Sequence, residues 1–292
     1  METQHHTITI KSTVKAPISR VWAFWTEPEH IMQWNHASDD WHTTNAANDL
    51  QVGGKFLSRM EAKDGSHGFD FEGEYTALDL HRHIAYTLSD GRKVEVHFGP
   101  SGKETHIKQF FEPESTNPAE MQAAGWQAIM DNFKKHAETQ TAGKLLFFDI
   151  HIKASTDKVY RRMINEKHYA DWTSLFAPGS HFKGSWTKAS KIQFLAPDEK
   201  GNMGGMVSRI RENIPGRFVS IEHLGLVEND IEITTGQAVE GWAGALENYT
   251  FIADNGKTLL LVDLDSNQEY EIYFNDIWPK ALQRLKEICE AA

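Results

Sequence analysis

The chain has 292 residues, which is long for one domain and natural for two domains of about 145 residues each. Hydrophobic residues make up 40% of the sequence, which is enough for two packed cores and excludes a disordered chain. A formal net charge of −11 repels phosphate backbones, so we expect no nucleic-acid partner.

The sequence contains no apolar run of the roughly 18 to 20 residues that a membrane span requires. Its first residues are polar and lack the basic and apolar regions of a signal peptide. The single cysteine, Cys289, excludes an intrachain disulfide and is consistent with a reducing compartment. We therefore expect a cytoplasmic protein without a membrane partner.

An internal repeat with a constant offset of 138 positions organises the chain. The segment Ala16–Trp22 recurs as Ala154–Tyr160, and alternating strands precede these segments over 7–14 and 145–152. The identities at this offset are Lys15 and Lys153, Ala16 and Ala154, Val21 and Val159, His30 and His168, and Trp34 and Trp172. Such a run of identities indicates a tandem duplication, so both copies are predicted to share one fold.

The middle of the first copy is predicted to form strands and tight turns. Gly53-Gly54 precedes a strand that begins at Lys55. Ser89-Asp90-Gly91 separates strands over 84–88 and 94–98, which is typical of a hairpin. An amphipathic helix closes the copy, and its apolar stripe is Trp126, Ile129, Met130 and Phe133.

The second copy has the same order of elements. Strands are predicted over 206–211 and 218–223 around a turn at 214–217, and then over 242–252 and 258–264. The apolar stripe of its terminal helix is Trp278, Leu282, Leu285 and Ile288. Pro279 lies inside this stripe and is predicted to kink the helix or to begin its last segment.

Each copy thus runs strand, two short helices, several antiparallel strands and a long helix. This order predicts an α+β fold in which a curved sheet buries its concave face against the terminal helix. The polar stretch 139–144 is predicted to be a linker between a first domain over 1–138 and a second domain over 145–292.

The first copy resembles the SRPBCC (START-like, helix-grip) domains related to the C-terminal domain of the heat-shock-protein-90 ATPase activator. The matching residues are Ala16-Pro17, Val21-Trp22, Trp34, Val52-Gly53-Gly54-Lys55-Phe56, Glu72-Gly73-Glu74-Tyr75, Ile84-Ala85-Tyr86, and Gly125-Trp126 through Asn132-Phe133. The second copy is similar to the same superfamily more loosely, through Ala154, Val159-Tyr160, Trp172, Gly204-Gly205-Met206, Phe218–His223 and Trp278–Leu282. It lacks Pro at position 155 and a clean Gly-Gly-x-Phe before its third strand.

The resemblance implies a cavity between the sheet and the terminal helix, occupied in many members by an apolar or aromatic small molecule. It also implies a chaperone or another protein as a partner, in a stress response. The superfamily includes lipid carriers, hormone receptors, cyclases, hydrolases and chaperone activators, so it specifies the fold better than the function.

Aromatic residues are the candidates for the two cavities, and the alternative is that they simply form the cores. In the first copy these candidates are Trp22, Trp34, Phe56, Phe71, Tyr86, Trp126, Met130 and Phe133. In the second copy they are Tyr160, Trp172, Phe194, Met206, Trp242, Tyr249 and Trp278. We expect the first domain to hold the better site, because its motifs match the family more closely.

A few polar residues are candidates for anchoring a ligand or for acid–base chemistry. His36, Trp41 and His42 are predicted to form a loop over the mouth of the first cavity, and exposed loop residues are the alternative. Tyr86 and His97 are further candidate anchors. In the second copy Glu222 and His223 are the best acid–base pair, but neighbours on a strand point to opposite faces, so at most one can enter the cavity.

Cofactor and metal chemistry have little support. His81 and His83 are predicted to share one face of a strand, but no third ligand stands at an obvious spacing. The sequence contains no zinc pattern, phosphate-binding Gly-rich loop or nucleophile elbow. Cys289 is predicted to be a packing residue. We therefore expect no metal and no cofactor.

Three functions remain open. The first is a non-enzymatic protein that binds a small hydrophobic ligand or, like a chaperone-ATPase activator, a protein partner. The second is a cavity enzyme of the cyclase or hydrolase type, which convergent polar groups deep in a cavity would favour. The third is a structural tandem whose second domain serves as an interface.

Overall fold

A computed structural model describes residues 7–141, 145–266 and 268–291, which form two compact units divided between positions 142 and 143. Each unit has one antiparallel sheet, two short helices after its first strand and a long helix at its end. The predicted α+β helix-grip architecture is confirmed. None of the helices in these ranges has the length and apolar character that crossing a membrane requires.

The first unit contains a seven-stranded sheet in the order β1-β7-β6-β5-β4-β3-β2. Its strands are β1 (Ile8–Val14), β2 (Trp41–Asn48), β3 (Lys55–Ala62), β4 (Gly68–Asp79), β5 (His83–Leu88), β6 (Lys93–Ser101) and β7 (Glu104–Phe111). Its helices are α1 (Ile18–Thr26), α2 (Pro28–Trp34) and the terminal α3 (Ala119–Thr141).

The second unit contains a sheet in the order β8-β15-β14-β12-β11-β10-β9, with β13 paired to β12. Its strands are β8 (Leu145–Ile152), β9 (His181–Gly184), β10 (Lys191–Pro197), β11 (Met203–Ile214), β12 (Phe218–Glu228), β13 (Ile231–Ile233), β14 (Leu246–Asp254) and β15 (Lys257–Asp265). Its helices are α4 (Thr156–Ile164), α5 (Glu166–Thr173) and the terminal α6 (Gln268–Glu290).

Irregular pairing bends both sheets. In the first sheet the register shifts between Thr43 and Asn45 and again between Tyr75 and Ala77. In the second sheet β11 and β12 pair with two shifts, one of them between Val207 and Ser208. Extra residues of this kind bend a strand and increase its twist, which curves the sheet around the terminal helix.

The residues that repeat at the offset of 138 make the same hydrogen bonds in both domains. Thr105 Oγ1 donates to the carbonyl of Ala16 at 2.9 Å, and Thr258 Oγ1 donates to the carbonyl of Ala154 at 2.7 Å. Each bond is buried and joins the corner between the first strand and first helix to the last strand. A buried carbonyl needs a partner, so this corner is the same in both copies.

Two further bonds recur around this corner. The backbone N–H of Lys15 donates to Glu138 at 2.9 Å, as that of Lys153 donates to Glu290 at 2.7 Å. These carboxylates lie near the ends of α3 and α6, so each terminal helix is held at its C-terminal end.

The second copy replaces Pro17 with Ser155 without losing the helix start. Pro17 has an extended backbone and precedes α1 without a side-chain cap. Ser155 has the same extended backbone, and its side chain accepts a hydrogen bond from the N–H of Lys158. In the first domain the equivalent N–H, that of Arg20, donates to the carbonyl of Pro17 at 3.0 Å instead, so the departure from the family pattern preserves the local structure.

Three sequence expectations about element boundaries need correction. The predicted linker 139–144 begins inside α3, which extends to Thr141, and 142–144 lie outside the described residues. Trp242 lies in a turn before β14, where its backbone N–H donates to Val239 and its indole N–H donates to the carbonyl of Ala238. Pro279 lies in the middle of α6, not at the start of a last segment.

Candidate functional site

The inner face of the first sheet carries a group of aromatic side chains that reaches the terminal helix. The Phe56 ring lies 4.9 Å from Tyr86 and 5.8 Å from Phe71, measured between ring centroids. Phe71 in turn lies 5.9 Å from Trp126 on α3. We call Phe56, Phe71, Tyr75, Tyr86 and Trp126 the aromatic patch.

Helix α3 is tightly packed at one end only. Its buried residues, Met130, Phe133 and Ala137, all lie at or beyond its midpoint. In its N-terminal half Trp126 faces the sheet and stacks on Phe111 at 4.2 Å, yet its side chain is only half-buried. Phe71 is also half-buried. The N-terminal half of α3 and the facing strand β4 therefore carry apolar rings that water still reaches.

Helix α6 has the same gradient in the second domain. Trp278, Ala281, Leu282, Leu285 and Cys289 are buried. Most described residues before them are exposed, including Tyr270 at 51% and Ile272 at 84%, whereas Phe274 and Ile277 are half-buried. In both domains the terminal helix thus closes the sheet at its C-terminal end and leaves the other end less covered.

Two tyrosine hydroxyl groups of the aromatic patch have hydrogen-bond partners. The Tyr75 hydroxyl donates to Asn48 Oδ1 at 2.8 Å, and Gln109 shares a hydrogen bond with the Tyr86 hydroxyl. Burial raises the pKa of both tyrosines. Both therefore stay neutral and retain hydroxyl groups that can hydrogen-bond to a ligand.

The other aromatic candidates of the first domain are core residues. Trp22, Trp34, Met130 and Phe133 are all less than 9% exposed. The Trp34 ring lies 5.0 Å from Phe133, and its indole N–H donates to the carbonyl of Phe24 at 2.9 Å. These side chains pack against one another, which agrees with the alternative that they form the core.

The histidine loop does not have the predicted extent. Strand β2 begins at Trp41, so Trp41 and His42 lie on a strand, with the Trp41 ring 5.8 Å from exposed Phe69. His36 alone remains in the loop, and its carbonyl accepts a hydrogen bond from Asn132 at 2.7 Å. Asn132 belongs to the packed half of α3, so His36 lies away from the less covered end.

His97 cannot anchor a ligand on the inner face. Along β6, Val94, Val96 and Phe98 are buried and alternate with exposed residues that include His97. Because side chains alternate between the two faces of a strand, His97 points outward.

His81 does not lie on a strand, contrary to the sequence prediction. It has φ +63° in the turn before β5 and is buried, with its ring 5.7 Å from Trp22. His81 therefore does not share a strand face with His83.

A buried polar group lies on the inner face of the second sheet. Ser208 Oγ and His223 Nδ1 are 2.9 Å apart, and His223 Nε2 is 3.6 Å from Glu247 Oε2. Tyr249 donates its hydroxyl hydrogen to Glu247 Oε1 at 2.5 Å. We call Ser208, His223, Glu247 and Tyr249 the polar group.

The polar group is enclosed by the core. The His223 and Glu247 side chains are 10% and 15% exposed. Burial and the nearby Glu247 carboxylate raise the pKa of Tyr249, and the same two causes raise that of Tyr169. The group therefore combines an imidazole, a carboxylate and a neutral phenol, which can hold or exchange a proton.

Glu222 and His223 lie on opposite faces of β12. Glu222 pairs with Arg209, whose Nε lies 3.0 Å from the carboxylate, and both residues face outward. His223 lies in the same row as the buried Val219 and Ile221. The carboxylate partner of His223 is Glu247, which lies on the next strand and not next to it in sequence.

The remaining candidates of the second domain fall into three environments. Tyr160, Trp172 and Trp278 belong to the buried core. Phe194 is half-buried, lies opposite Met206 on the neighbouring strand, and has its ring 6.5 Å from His223. Trp242 lies in the turn before β14 and not in a strand.

Sequence reasoning missed several members of these sites. Ser208 and Glu247 are ordinary polar residues in predicted strands, and only the pairing of β11, β12 and β14 joins them to His223. Tyr75 carried a weak signal, because it belongs to the Glu72–Tyr75 motif of the family resemblance.

An open groove of about 430 Å³ lies elsewhere, on the surface of α6. It is lined by Leu175, Pro279, Lys280, Gln283, Arg284 and Glu287. Its cations are paired, since Arg284 binds Asp171 and Lys280 binds Asp276. It contains no member of the aromatic patch or the polar group.

The first domain matches the family described as Activator of Hsp90 ATPase homolog 1-like protein, over residues 15–138. An AHSA1-like protein from Aeromonas hydrophila, solved by NMR, is 41% identical, and the match covers 46% of this chain and 94% of that chain with a TM-score of 0.45. The chain belongs to this family. The membership is carried by its first domain, as the sequence motifs predicted.

Two other solved structures extend the comparison. Chr148 from Cytophaga hutchinsonii is 48% identical over 46% of this chain and 93% of that chain, with a TM-score of 0.42. The di-domain ARO/CYC protein StfQ from the steffimycin biosynthetic pathway is 12% identical over 97% of this chain and 98% of that chain, with a TM-score of 0.38. The likeness to StfQ is too distant to carry a functional argument. No curated protein matches the chain.

Proposed function

We propose that the protein binds a small, largely apolar or aromatic molecule beneath the N-terminal half of α3 in the first domain. One observation carries the proposal: the buried residues of the helix begin at Met130, whereas Trp126 and the facing Phe71 are only half-buried. These two rings are in edge-to-face contact, with centroids 5.9 Å apart, and their partly exposed apolar surfaces suit packing against an aromatic molecule.

The aromatic patch suits such a ligand in chemistry as well as in shape. Its rings offer apolar surface, and the neutral hydroxyl groups of Tyr75 and Tyr86 offer one or two hydrogen bonds to a polar end of the ligand. Burying about 200 Å² of apolar ligand surface contributes about 5 kcal/mol, which corresponds to a dissociation constant of a few hundred micromolar. Tighter binding would need the hydroxyl groups as anchors.

Titration of the full chain with flavonoids, fatty acids and environment-sensitive dyes, followed by tryptophan fluorescence, tests the proposal. We expect saturable binding that Phe71→Ala weakens about tenfold, equivalent to about 1.4 kcal/mol. Phe110→Ala is the matched control, because Phe110 is half-buried on the opposite face of the same sheet. It should bind like the wild type.

Two outcomes would contradict this assignment. Binding that is lost in Phe194→Ala and kept in Phe71→Ala would place the ligand in the second domain. Absence of saturable binding would favour a protein partner, and stimulation of a chaperone ATPase, which the family description names, is then the assay.

A second candidate function is proton-transfer chemistry in the second domain, of the cyclase or hydrolase type. The polar group favours it, because an imidazole between a hydroxyl and a carboxylate is the arrangement that general acid–base catalysis uses. Ser208 itself is fully buried, which argues for His223 and Glu247, not a serine nucleophile, as the reacting groups.

A panel of aryl esters and cyclisable polyketone analogues tests this second candidate. Turnover should fall at least about 100-fold in His223→Gln and in Glu247→Gln, in line with the usual contribution of a general base. Glu222→Gln, which changes the outward-facing neighbour of His223, should leave turnover unchanged. Equal rates in all four proteins would exclude the polar group from catalysis.

A further inference from the structure

The outer face of the first sheet brings two histidines and a glutamate together. His83 on β5 and His97 on β6 are direct partners across the strands, and their ring centroids are 4.6 Å apart. Glu95 precedes His97 by two residues and shares its face. One ligand atom from each of these three residues lies within 4.8 Å of the others.

The distances within this group suit a small cation. Glu95 Oε2 is 3.3 Å from His97 Nε2 and 3.7 Å from His83 Nε2. In a tetrahedral zinc site with bonds of about 2.0–2.1 Å, neighbouring ligand atoms lie about 3.3 Å apart. A shared centre therefore needs only small side-chain adjustments.

A nitrogen without a hydrogen bond points to the same place. His83 Nε2 is shielded from solvent, and among the residues that the structure describes it has no hydrogen-bond partner, only the Glu95 carboxylate at 3.7 Å. A buried imidazole nitrogen without a hydrogen bond is costly, and coordination of a metal ion would satisfy it.

We infer that His83, Glu95 and His97 form a zinc-binding site on the outer face of the first domain. Two imidazoles and one carboxylate are ligands that Zn²⁺ accepts, and the partial exposure of the group leaves a fourth position open to water or to an external ligand. The site is separate from the aromatic patch, because it occupies the opposite face of the sheet. It departs from the sequence expectation that the chain holds no metal.

The charges around the group are balanced. Asp79 on β4 is the strand partner of His83, and Lys108 on β7 is the strand partner of His97. The Lys108 ammonium lies over the ring of Phe110, 4.6 Å from its centroid. Glu95 thus supplies the negative charge that attracts a cation, while Asp79 offsets Lys108.

Calorimetric titration of the chelator-treated full chain with Zn²⁺ tests the site. We expect one saturable equivalent whose affinity falls at least about tenfold in His97→Ala. His97 is exposed, so this change should not affect folding. His67→Ala, which removes an exposed histidine of the turn between β3 and β4, is the matched control and should bind like the wild type.

Substitution of Co²⁺ for Zn²⁺ gives a second, spectroscopic readout that does not depend on calorimetry. Co²⁺ should produce the intense visible absorption of a low-coordinate site in the wild type and in His67→Ala, and lose it in His97→Ala and Glu95→Gln. The inference is wrong if the wild type does not bind Zn²⁺ saturably. It is equally wrong if His97→Ala binds as tightly as the wild type, because the ion is then held elsewhere.

Discussion

His30 and His136 face each other between α2 and α3 of the first domain, with His30 Nδ1 3.0 Å from His136 Nε2. Burial, and secondly the charge of His30, lower the pKa of His136 to about 4. Two imidazoles at this distance can share one proton but cannot both be charged without repulsion. The second domain has His168 in place of His30, and it meets Arg162 at 2.8 Å. The histidine of α2 is therefore present in both copies, but its side-chain partner is His136 in the first domain and Arg162 in the second.

This pair should make the first domain less stable in acid. Because the folded pKa of His136 lies below the ordinary value of 6.5, the unfolded state binds more protons between pH 6.5 and about 4. Stability is therefore lost as the pH falls through that window, by about 1 kcal/mol at pH 5 after allowance for partial exposure. Urea unfolding at pH 7.5 and pH 5.0, followed by tryptophan fluorescence, measures it.

The contribution of His136 is isolated by substitution. His136→Gln keeps a hydrogen-bonding partner for His30 and should lose less stability between the two pH values than the wild type. His67→Gln changes an exposed histidine and should keep the wild-type difference. An identical pH dependence in all three proteins would show that the pair does not couple folding to protons.

At the scale of elements, the two halves of each terminal helix differ in how closely they pack against the sheet. Their C-terminal halves close the cores, whereas their N-terminal halves border less covered space. Trp278 belongs to the first type: it is 2% exposed and lies within 5.8 Å of the Phe148 ring and 5.0 Å of the Phe176 ring. Trp126 belongs to the second type, since it stacks on Phe111 but stays half-buried.

The two tryptophans should therefore differ in their contribution to stability. Trp278→Ala should lower the free energy of unfolding of the second domain by about 3–5 kcal/mol, because it leaves a large cavity in a closed core. Trp126→Ala should cost the first domain less, about 1–3 kcal/mol, because part of the ring is already in water. Urea unfolding of each variant measures the difference.

A conservative variant serves as the control for the helix itself. Trp278→Phe should lose less than Trp278→Ala, because the indole N–H of Trp278 has no hydrogen-bond partner among the described residues. If Trp126→Ala proves as costly as Trp278→Ala, the N-terminal half of α3 is closed and the proposed ligand site is absent.

At the scale of the whole molecule, each of the two units has its own sheet, short helices and terminal helix. We predict that residues 1–141 and 145–292 fold separately, each with a cooperative unfolding transition. The first fragment should end at 141 and not at 138, because Thr139 and Thr141 form the last turn of α3 through bonds to Lys135 and Ala137.

Expression of each half, with urea unfolding followed by circular dichroism, checks this prediction. A fragment ending at 138 should be less stable than one ending at 141, which makes it the matched control for the boundary. If neither half unfolds cooperatively, the two-domain interpretation is wrong or each half needs the other to fold.

The sequence by itself determined the fold class and the tandem organisation. Helical spacing, alternating strands and turn residues act over short stretches of chain, so they are readable without knowledge of the fold. The repeat was equally detectable from the sequence, and the structure shows that the backbone at Ala16 and Ala154 makes the same hydrogen bond in both copies. Element ends were predicted less well, as with Trp242 and the last turn of α3.

Only the tertiary structure decided which polar residues meet. Glu247 reaches His223 from another strand, 24 positions further along the chain, and His97 reaches His83 from the next strand. These contacts between strands depend on strand register and on bulges. A register shift of one residue moves every side chain of a strand to the other face. Register is set by the packing of the whole sheet against its helix, so a single sequence does not reveal it.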